Sequence, residues 1–308
     1  MRADAERWFR QRTSRAGDWP VELLKERKAG TSVSVVLPAL DEEPTVGRIV
    51  AGIVDLAERT GLVDEVVVMD SGSADRTGEV AAAAGAKVVH RDDVLPELGS
   101  HPGKGEVLWK ALYVTGGDLV IYVDADLTDF GPHYVTGLLG PLLSDSGVLL
   151  VKAFYDRPLL DVSAAGGGRV TELMARPLLN LYLPELAGVV QPLAGEYAAR
   201  RSLLERLPFA AGYGVEAGLL IDTAREHGLD AIAQVDLGER SHGHQNTAAL
   251  GRMAATILHT VAARVGLPAE ATLTQFRRAH GHIEPVETVL PTVERPPMIT
   301  VPAYAARR

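Results

Sequence analysis

Cysteine is absent from all 308 residues, which removes disulfides, thiolate metal sites and a cysteine nucleophile together. A metal would have to be held by aspartate, glutamate, histidine or carbonyl oxygen. A surplus of positive charge is missing as well. The net charge is −9, which argues against nucleic acid as a partner, because phosphate backbones are bound by excess Lys and Arg. A local group of basic residues would still serve a small anion. No run approaches the ~20 apolar residues of a membrane span. The opening MRADAERWFRQRTSRAGDWP is too charged for a secretory leader. The expectation is a cytoplasmic chain with no membrane partner.

What is present is an ordinary globular composition, 46% hydrophobic and 23% charged, long enough for one large α/β domain with an appendage. Residues 1–30 read as a basic amphipathic helix and a linker. From residue 31 to 155, short β-branched runs (SVSVVLPAL, DEVVVMD, KVVH, DLVIYVDAD) alternate with helical stretches. That alternation predicts a mainly parallel sheet covered on both faces. Over 156–246 the regularity loosens into a glycine-rich loop, two helices, a strand and a polar loop. A helix is expected from Thr247 to Val265. The remainder, with Pro285, Pro291, Pro296, Pro297 and Pro302, reads as an extended rather than packed tail. The apolar surface of 247–308 would then be covered by dimerisation.

In open parallel sheets ligands bind beyond the carboxyl ends of the strands, so the loops after the strands carry the candidates. After the first comes Pro38-Ala39-Leu40-Asp41-Glu42-Glu43. A dinucleotide fold would place glycines here; carboxylates instead accept hydrogen bonds from a base or ribose, or cap the helix. After the second comes Asp70-Ser71-Gly72-Ser73, a tight turn into a helix. After the fourth comes Asp124-Ala125-Asp126, the strongest signal, since carboxylates at i and i+2 on a strand end point the same way and can share a hard divalent cation. Lys104 follows a glycine loop and would meet a phosphate or sugar, or simply start a helix. Gly168-Arg169-Val170-Thr171 closes a glycine-rich turn suited to a phosphate or carboxylate. Glu216 opens a helix, and Arg240-Ser241-His242-Gly243-His244 follows the last strand.

Taken in order, P-A-L-D-E-E, D-S-G-S-A-D, the lysine loop, D-A-D, G-G-R-V-T and the late R-x-H resemble glycosyltransferase family 81 over roughly residues 30–250. This is the family of the glucosyl-3-phosphoglycerate synthases and their mannosyl counterparts. The resemblance implies a GT-A fold and retaining transfer of glucose from UDP-glucose to the 2-hydroxyl of 3-phosphoglycerate. GDP-mannose is the alternative donor, and Mg²⁺ or Mn²⁺ the cofactor. It further implies that Pro38, Ala39, Leu40, Glu42, Ser71 and Gly72 hold the uridine, and that Lys104, Asp124 and Ala125 contact the donor's ribose and sugar. Asp126 and His242 would bind the metal, Arg240 the diphosphate, and Glu216 the sugar hydroxyls. Gly168, Arg169 and Thr171 would take the acceptor; His244, also placed there, departs from the asparagine of related sequences. Lys104, Asp126, Glu216 and Arg240 are the residues expected to carry catalysis.

Two other readings share part of this pattern. A polyprenyl-phosphate glycosyltransferase has the first three motifs but needs a membrane-docking element. A nucleotide-sugar-binding module without catalysis would lose the metal carboxylates or the acceptor loop, and both are present here.

Overall fold

The computed structural model describes residues 1–156, 168–240 and 246–307. The chain opens with α1 (Ala3–Arg12), β1 (Thr13–Arg15) and α2 (Val21–Lys28). The regular alternation follows: β2 (Val33–Ala39), α3 (Glu43–Thr60), β3 (Glu65–Asp70), α4 (Thr77–Ala83), β4 (Lys87–His90), α5 (Lys104–Val114), β5 (Leu119–Tyr122), α6 (His133–Ser144) and β6 (Leu150–Asp156). Then come α7 (Arg176–Tyr182), β7 (Tyr197–Arg200), α8 (Arg201–Leu204), β8 (Phe209–Ala210), α9 (Val215–His227), β9 (Ile232–Glu239) and α10 (Thr247–Val265). The chain closes with β10 (Thr272–Ala279), β11 (His282–Val289), β12 (Glu294–Arg295) and α11 (Pro302–Ala305).

Eight strands make one sheet in the order β1-β9-β6-β7-β5-β2-β3-β4. Every neighbouring pair is parallel except those of β7, which runs against both β5 and β6. β2 is apolar along nearly its whole length because it lies mid-sheet with helices on both faces. One core layer gathers Val35, Leu37, Ile49, Ile53 and Leu138 under α3 and α6. The other gathers Val36, Trp109, Leu220 and Ile257 under α5, α9 and α10. Because β7 runs backwards, its first residue reaches the same edge as the last residues of β2, β3, β5, β6 and β9. The site is built on that edge.

Two sequence expectations are corrected. Residues 13–30 are not a linker: β1 joins the sheet beside β9, and α2 packs through the buried Leu24. Trp8 of α1 is fully buried and donates its indole N–H to the Ile232 carbonyl at 2.8 Å. The proline-spaced tail is not extended and unpacked. Met298, Val301 and Tyr304 enter the main core, and β12 pairs with β8. The prolines permit this by position. Pro302 opens α11, and Pro285 lies in the two-stranded β10–β11 hairpin, where a missing N–H is tolerated. Within 247–308 the most exposed large apolar side chains are on the hairpin, at Phe276, Ile283 and Val289. Among the described residues no helix is long and apolar enough to cross a membrane.

Candidate active site

A cleft of about 610 Å³ opens along the carboxyl edge of the sheet. It gathers Pro38, Ala39, Leu40 and Glu42, then Ser71, then Lys104 with Asp124, Ala125 and Asp126. Gly168, Arg169, Thr171, Glu216 and Arg240 complete the set of sequence candidates found there. Gly72 is not part of the lining; at φ +94° it turns the loop that presents Ser71. His242 and His244 lie outside the described residues.

The acidic loop after β2 divides its labour. Asp41 accepts from the Ala74 N–H at 2.7 Å and Glu43 from the Arg76 N–H at 3.1 Å. The Asp41 and Glu42 amides donate to Ser73 Oγ and Thr77 Oγ1 at 3.0 and 2.8 Å. These bonds stitch the β2 and β3 loops into one platform, and the expected capping of α3 by Asp41 or Glu42 is not what the side chains do: the α3 N-terminus has no side-chain cap. Glu42 alone turns its carboxylate to the cleft. Burial, then the neighbouring Asp126, push its carboxyl above the ordinary range.

Lys104 is the first residue of α5, where the helix dipole disfavours a cation. Two carboxylates offset that. Its Nζ lies 2.5 Å from Asp124 Oδ1 and 3.0 Å from Glu216 Oε1. Burial opposes the charged ammonium, yet Asp124 and Glu216 hold it above its usual range. Burial would likewise raise the Asp124 carboxyl, but Lys104 and Arg240 outweigh it and hold it below the carboxylate range. Gly195 crosses directly over this pair; a Cβ there would collide with Asp124 Oδ2 and Lys104 Nζ.

Arg240 follows β9 and is 5% exposed. Its Nη1 donates to Tyr155 Oη at 2.6 Å and to the Glu196 carboxylate at 2.8 and 3.1 Å. Its Nη2 meets Asp126 Oδ1 at 3.0 Å. The buried Nε has no hydrogen-bond partner among the described residues. The two aspartates after β5 are therefore split. Asp124 is committed to Lys104, whereas the Asp126 side chain is 54% exposed at the cleft. The strand pleat that would align them ends at Tyr122, before either residue.

Sequence reading missed Glu196 and Lys152. Glu196 is fully buried just before β7 and clamps Arg240 from behind. Lys152 on β6 is 1% exposed and donates to the Ala194 carbonyl at 2.5 Å, fixing the loop that lines the cleft beside Asp124. Burial, opposed by Glu216, pulls its ammonium down to about 8. No local pattern marks either one, because their roles follow from the reversed direction of β7.

The donor set suits a small hard cation. Asp126 offers a carboxylate at the cleft and bonds Arg240 through Oδ1. Mg²⁺ and similar ions are commonly held by one or two carboxylates, with substrate phosphates and water completing the shell. Among the described residues no group of three His, Asp or Glu could hold an ion; His242, the second expected ligand, lies outside them.

The profile of glycosyl transferase family 2 matches residues 34–157, the part of the chain that builds the β2-to-β6 edge. The glucosyl-3-phosphoglycerate synthase of Mycolicibacterium smegmatis is 51% identical over 300 residues, covering 96% of this chain and 98% of that one. The chain belongs to the glucosyl-3-phosphoglycerate synthase family. It is thus a glycosyltransferase, and the expected GT-A fold is the one observed. Among solved structures, the Mycobacterium tuberculosis synthase in complex with Mn²⁺, UDP-glucose and phosphoglyceric acid is 49% identical, with a TM-score of 0.83 over 91% of this chain and 94% of that one. A mannosyl-3-phosphoglycerate synthase from Rubrobacter xylanophilus is 44% identical, with a TM-score of 0.90 over 96% and 99%. The family therefore includes members named for either sugar.

Proposed function

We propose that this chain transfers glucose from UDP-glucose to the 2-hydroxyl of 3-phosphoglycerate, with release of UDP. The observation that carries the reading is the meeting of Lys104, Asp124 and Glu216 beside Arg240 and Asp126 in one cleft, with the Gly168–Thr171 turn on its wall. In this reading the uracil and ribose lie along Pro38, Ala39, Leu40 and Ser71, with Glu42 as acceptor. Arg240 meets the diphosphate. Asp126 with His242 would hold Mn²⁺ or Mg²⁺, which when bound neutralises the charge growing on the leaving diphosphate. Lys104 and Glu216 orient the sugar hydroxyls, and Gly168, Arg169 and Thr171 take the acceptor's phosphate and carboxylate.

Inversion would require a free carboxylate base opposite the departing nucleotide. Glu216 is engaged by Lys104 at 3.0 Å and is poorly placed to serve. The reading is therefore a same-face transfer: the bond from C1 to the diphosphate breaks, the bond to the acceptor oxygen forms, and the acceptor proton leaves with the diphosphate. Nucleotide release across a matrix of UDP-glucose, GDP-glucose, UDP-mannose and GDP-mannose tests the donor. Release should be fastest with UDP-glucose and should require 3-phosphoglycerate; preferential release from GDP-mannose would reassign the chain to the mannosyl branch.

We also infer a homodimer. The β10–β11 hairpin packs little of itself, with Phe276, Ile283 and Val289 exposed by 72%, 62% and 78%. A two-stranded hairpin is marginal alone, and a second copy is the occupant that would cover it in every molecule. Light scattering should give twice the 32.8 kDa chain mass, falling to a monomer in Phe276→Glu/Ile283→Glu; a monomeric wild-type chain contradicts this.

A further inference from the structure

Beneath the cleft lies a second cluster of buried charge, and Glu106, Lys110 and Arg295, which form it, do not line the cavity. Glu106 and Lys110 stand one turn apart on α5, both with side chains fully buried. Glu106 is met in a fork by Arg295 of β12, Nε to Oε2 at 2.7 Å and Nη2 to Oε1 at 2.8 Å. The same guanidinium donates to the carbonyls of Leu98 at 3.2 Å and Gly99 at 2.9 Å, and lies 5.0 Å from the Trp109 ring centroid. Lys110 reaches the Arg91 carbonyl at 3.3 Å and Ser100 Oγ at 2.7 Å. The loop from Arg91 to Gly103 is thus tied from below by two cations that share Glu106. Its two ends, Arg91 and Pro102-Gly103, line the cleft immediately before Lys104.

β12 adds a second hold. It pairs antiparallel with β8, and the Ala211 N–H donates to the Val293 carbonyl at 2.9 Å. The Ala211 carbonyl in turn accepts from the Glu106 N–H at 3.0 Å. The β8 backbone lies so close to the first turn of α5 that any Cβ on Gly105 would overlap the Ala210 carbonyl. Four residues beyond Ala211, α9 begins and carries Glu216. One short strand of the tail therefore backs both elements whose side chains, Lys104 and Glu216, meet in the cleft.

We propose that Arg295, acting through Glu106 and the 91–103 loop, is a positioning residue for the donor site. It holds the start of α5 so that Lys104 stands between Asp124 and Glu216. Only a guanidinium fits this role, because it bonds a carboxylate in a fork and two carbonyls at once, which an ammonium cannot do. The proposal rests on the reading of the cleft as the donor site.

Arg295→Met alone would leave Glu106 buried beside a single cation, so a loss of activity there could reflect lost stability. The deciding variants are Arg295→Lys, which keeps the charge, and Glu106→Gln/Arg295→Met, which removes both charges. Arg295→Lys should melt within a few degrees of wild type, and the double variant, which leaves the buried Lys110 without Glu106, at a lower temperature. In both, at temperatures where they are folded, kcat should fall about tenfold or more, as small displacements of a positioned group do. The KM for UDP-glucose should rise while that for 3-phosphoglycerate holds, because the 168–171 turn is not on these elements. Hydrogen exchange of the 91–106 amides should quicken in both. Variants that keep wild-type kcat and donor KM, or wild-type exchange over 91–106, would overturn the proposal. Failure of the functional reading would show differently, as a wild-type chain that transfers no glucose while the exchange result still decides whether Arg295 holds the loop.

Discussion

Asp126→Ala is expected to lower kcat by a factor of about 10² or more, the loss typical when stabilisation of a charged leaving group is removed. The expectation follows from position. Asp126 is the aspartate of the pair that is exposed to the cleft, while Asp124 is spent on Lys104. Asp126→Asn keeps the shape and an acceptor for Arg240 but not the charge, and should be impaired nearly as much. Chelation should mimic both variants in the wild-type chain, with Mn²⁺ or Mg²⁺ restoring transfer. Full activity in excess chelator, or in Asp126→Asn, would show that no cation acts through this residue.

Lys104→Met should be as damaging and should harm the fold as well. Removing the ammonium leaves Asp124 and Glu216 facing each other at the cleft floor, with Arg240 3.6 Å from Asp124 as the nearest remaining cation. Breaking a buried pair from one side costs about 3–5 kcal/mol, which lowers the melting temperature by on the order of 10 °C. Transfer should fall by about 10² or more even at temperatures where the variant is folded, since the sugar loses its cation and its two carboxylates lose their orientation. A variant that melts as wild type does would mean that the Lys104 pairs are not formed in solution.

The parts legible in the sequence were those written locally. The strands β2, β3 and β5 announce themselves as β-branched runs, and a parallel sheet puts the loop after each on one edge. This is why Pro38–Glu42, Ser71 and Asp124–Asp126 were found without knowing the strand order. The helix Thr247–Val265 was legible for the same reason, with Asn246 as its cap and Gly266 just past its end. Partnerships across long separations were not legible. Lys104 reads as a helix start until Asp124 and Glu216 are beside it, and Glu196 reads as a loop acid until β7 is known to run backwards. The tail was misjudged because its prolines sit where regular elements tolerate them, Pro302 at the start of α11 and Pro285 in a hairpin strand, and so prevent neither regular structure nor packing. Arg295 and Glu106, 189 positions apart, form a buried pair that no window of sequence contains.

The central claim is tested most directly on the product. The wild-type chain, Mn²⁺, UDP-glucose and 3-phosphoglycerate should give UDP and a glucosylated phosphoglycerate in equal amounts. Proton NMR of that product should show the small anomeric coupling of an α-linked glucose, with the glycerate C2 proton shifted by the new bond. The large coupling of a β-linked product would mean inversion and make Glu216 a base despite its bond to Lys104. UDP and free glucose with no glycerate adduct would contradict the assignment of the acceptor itself.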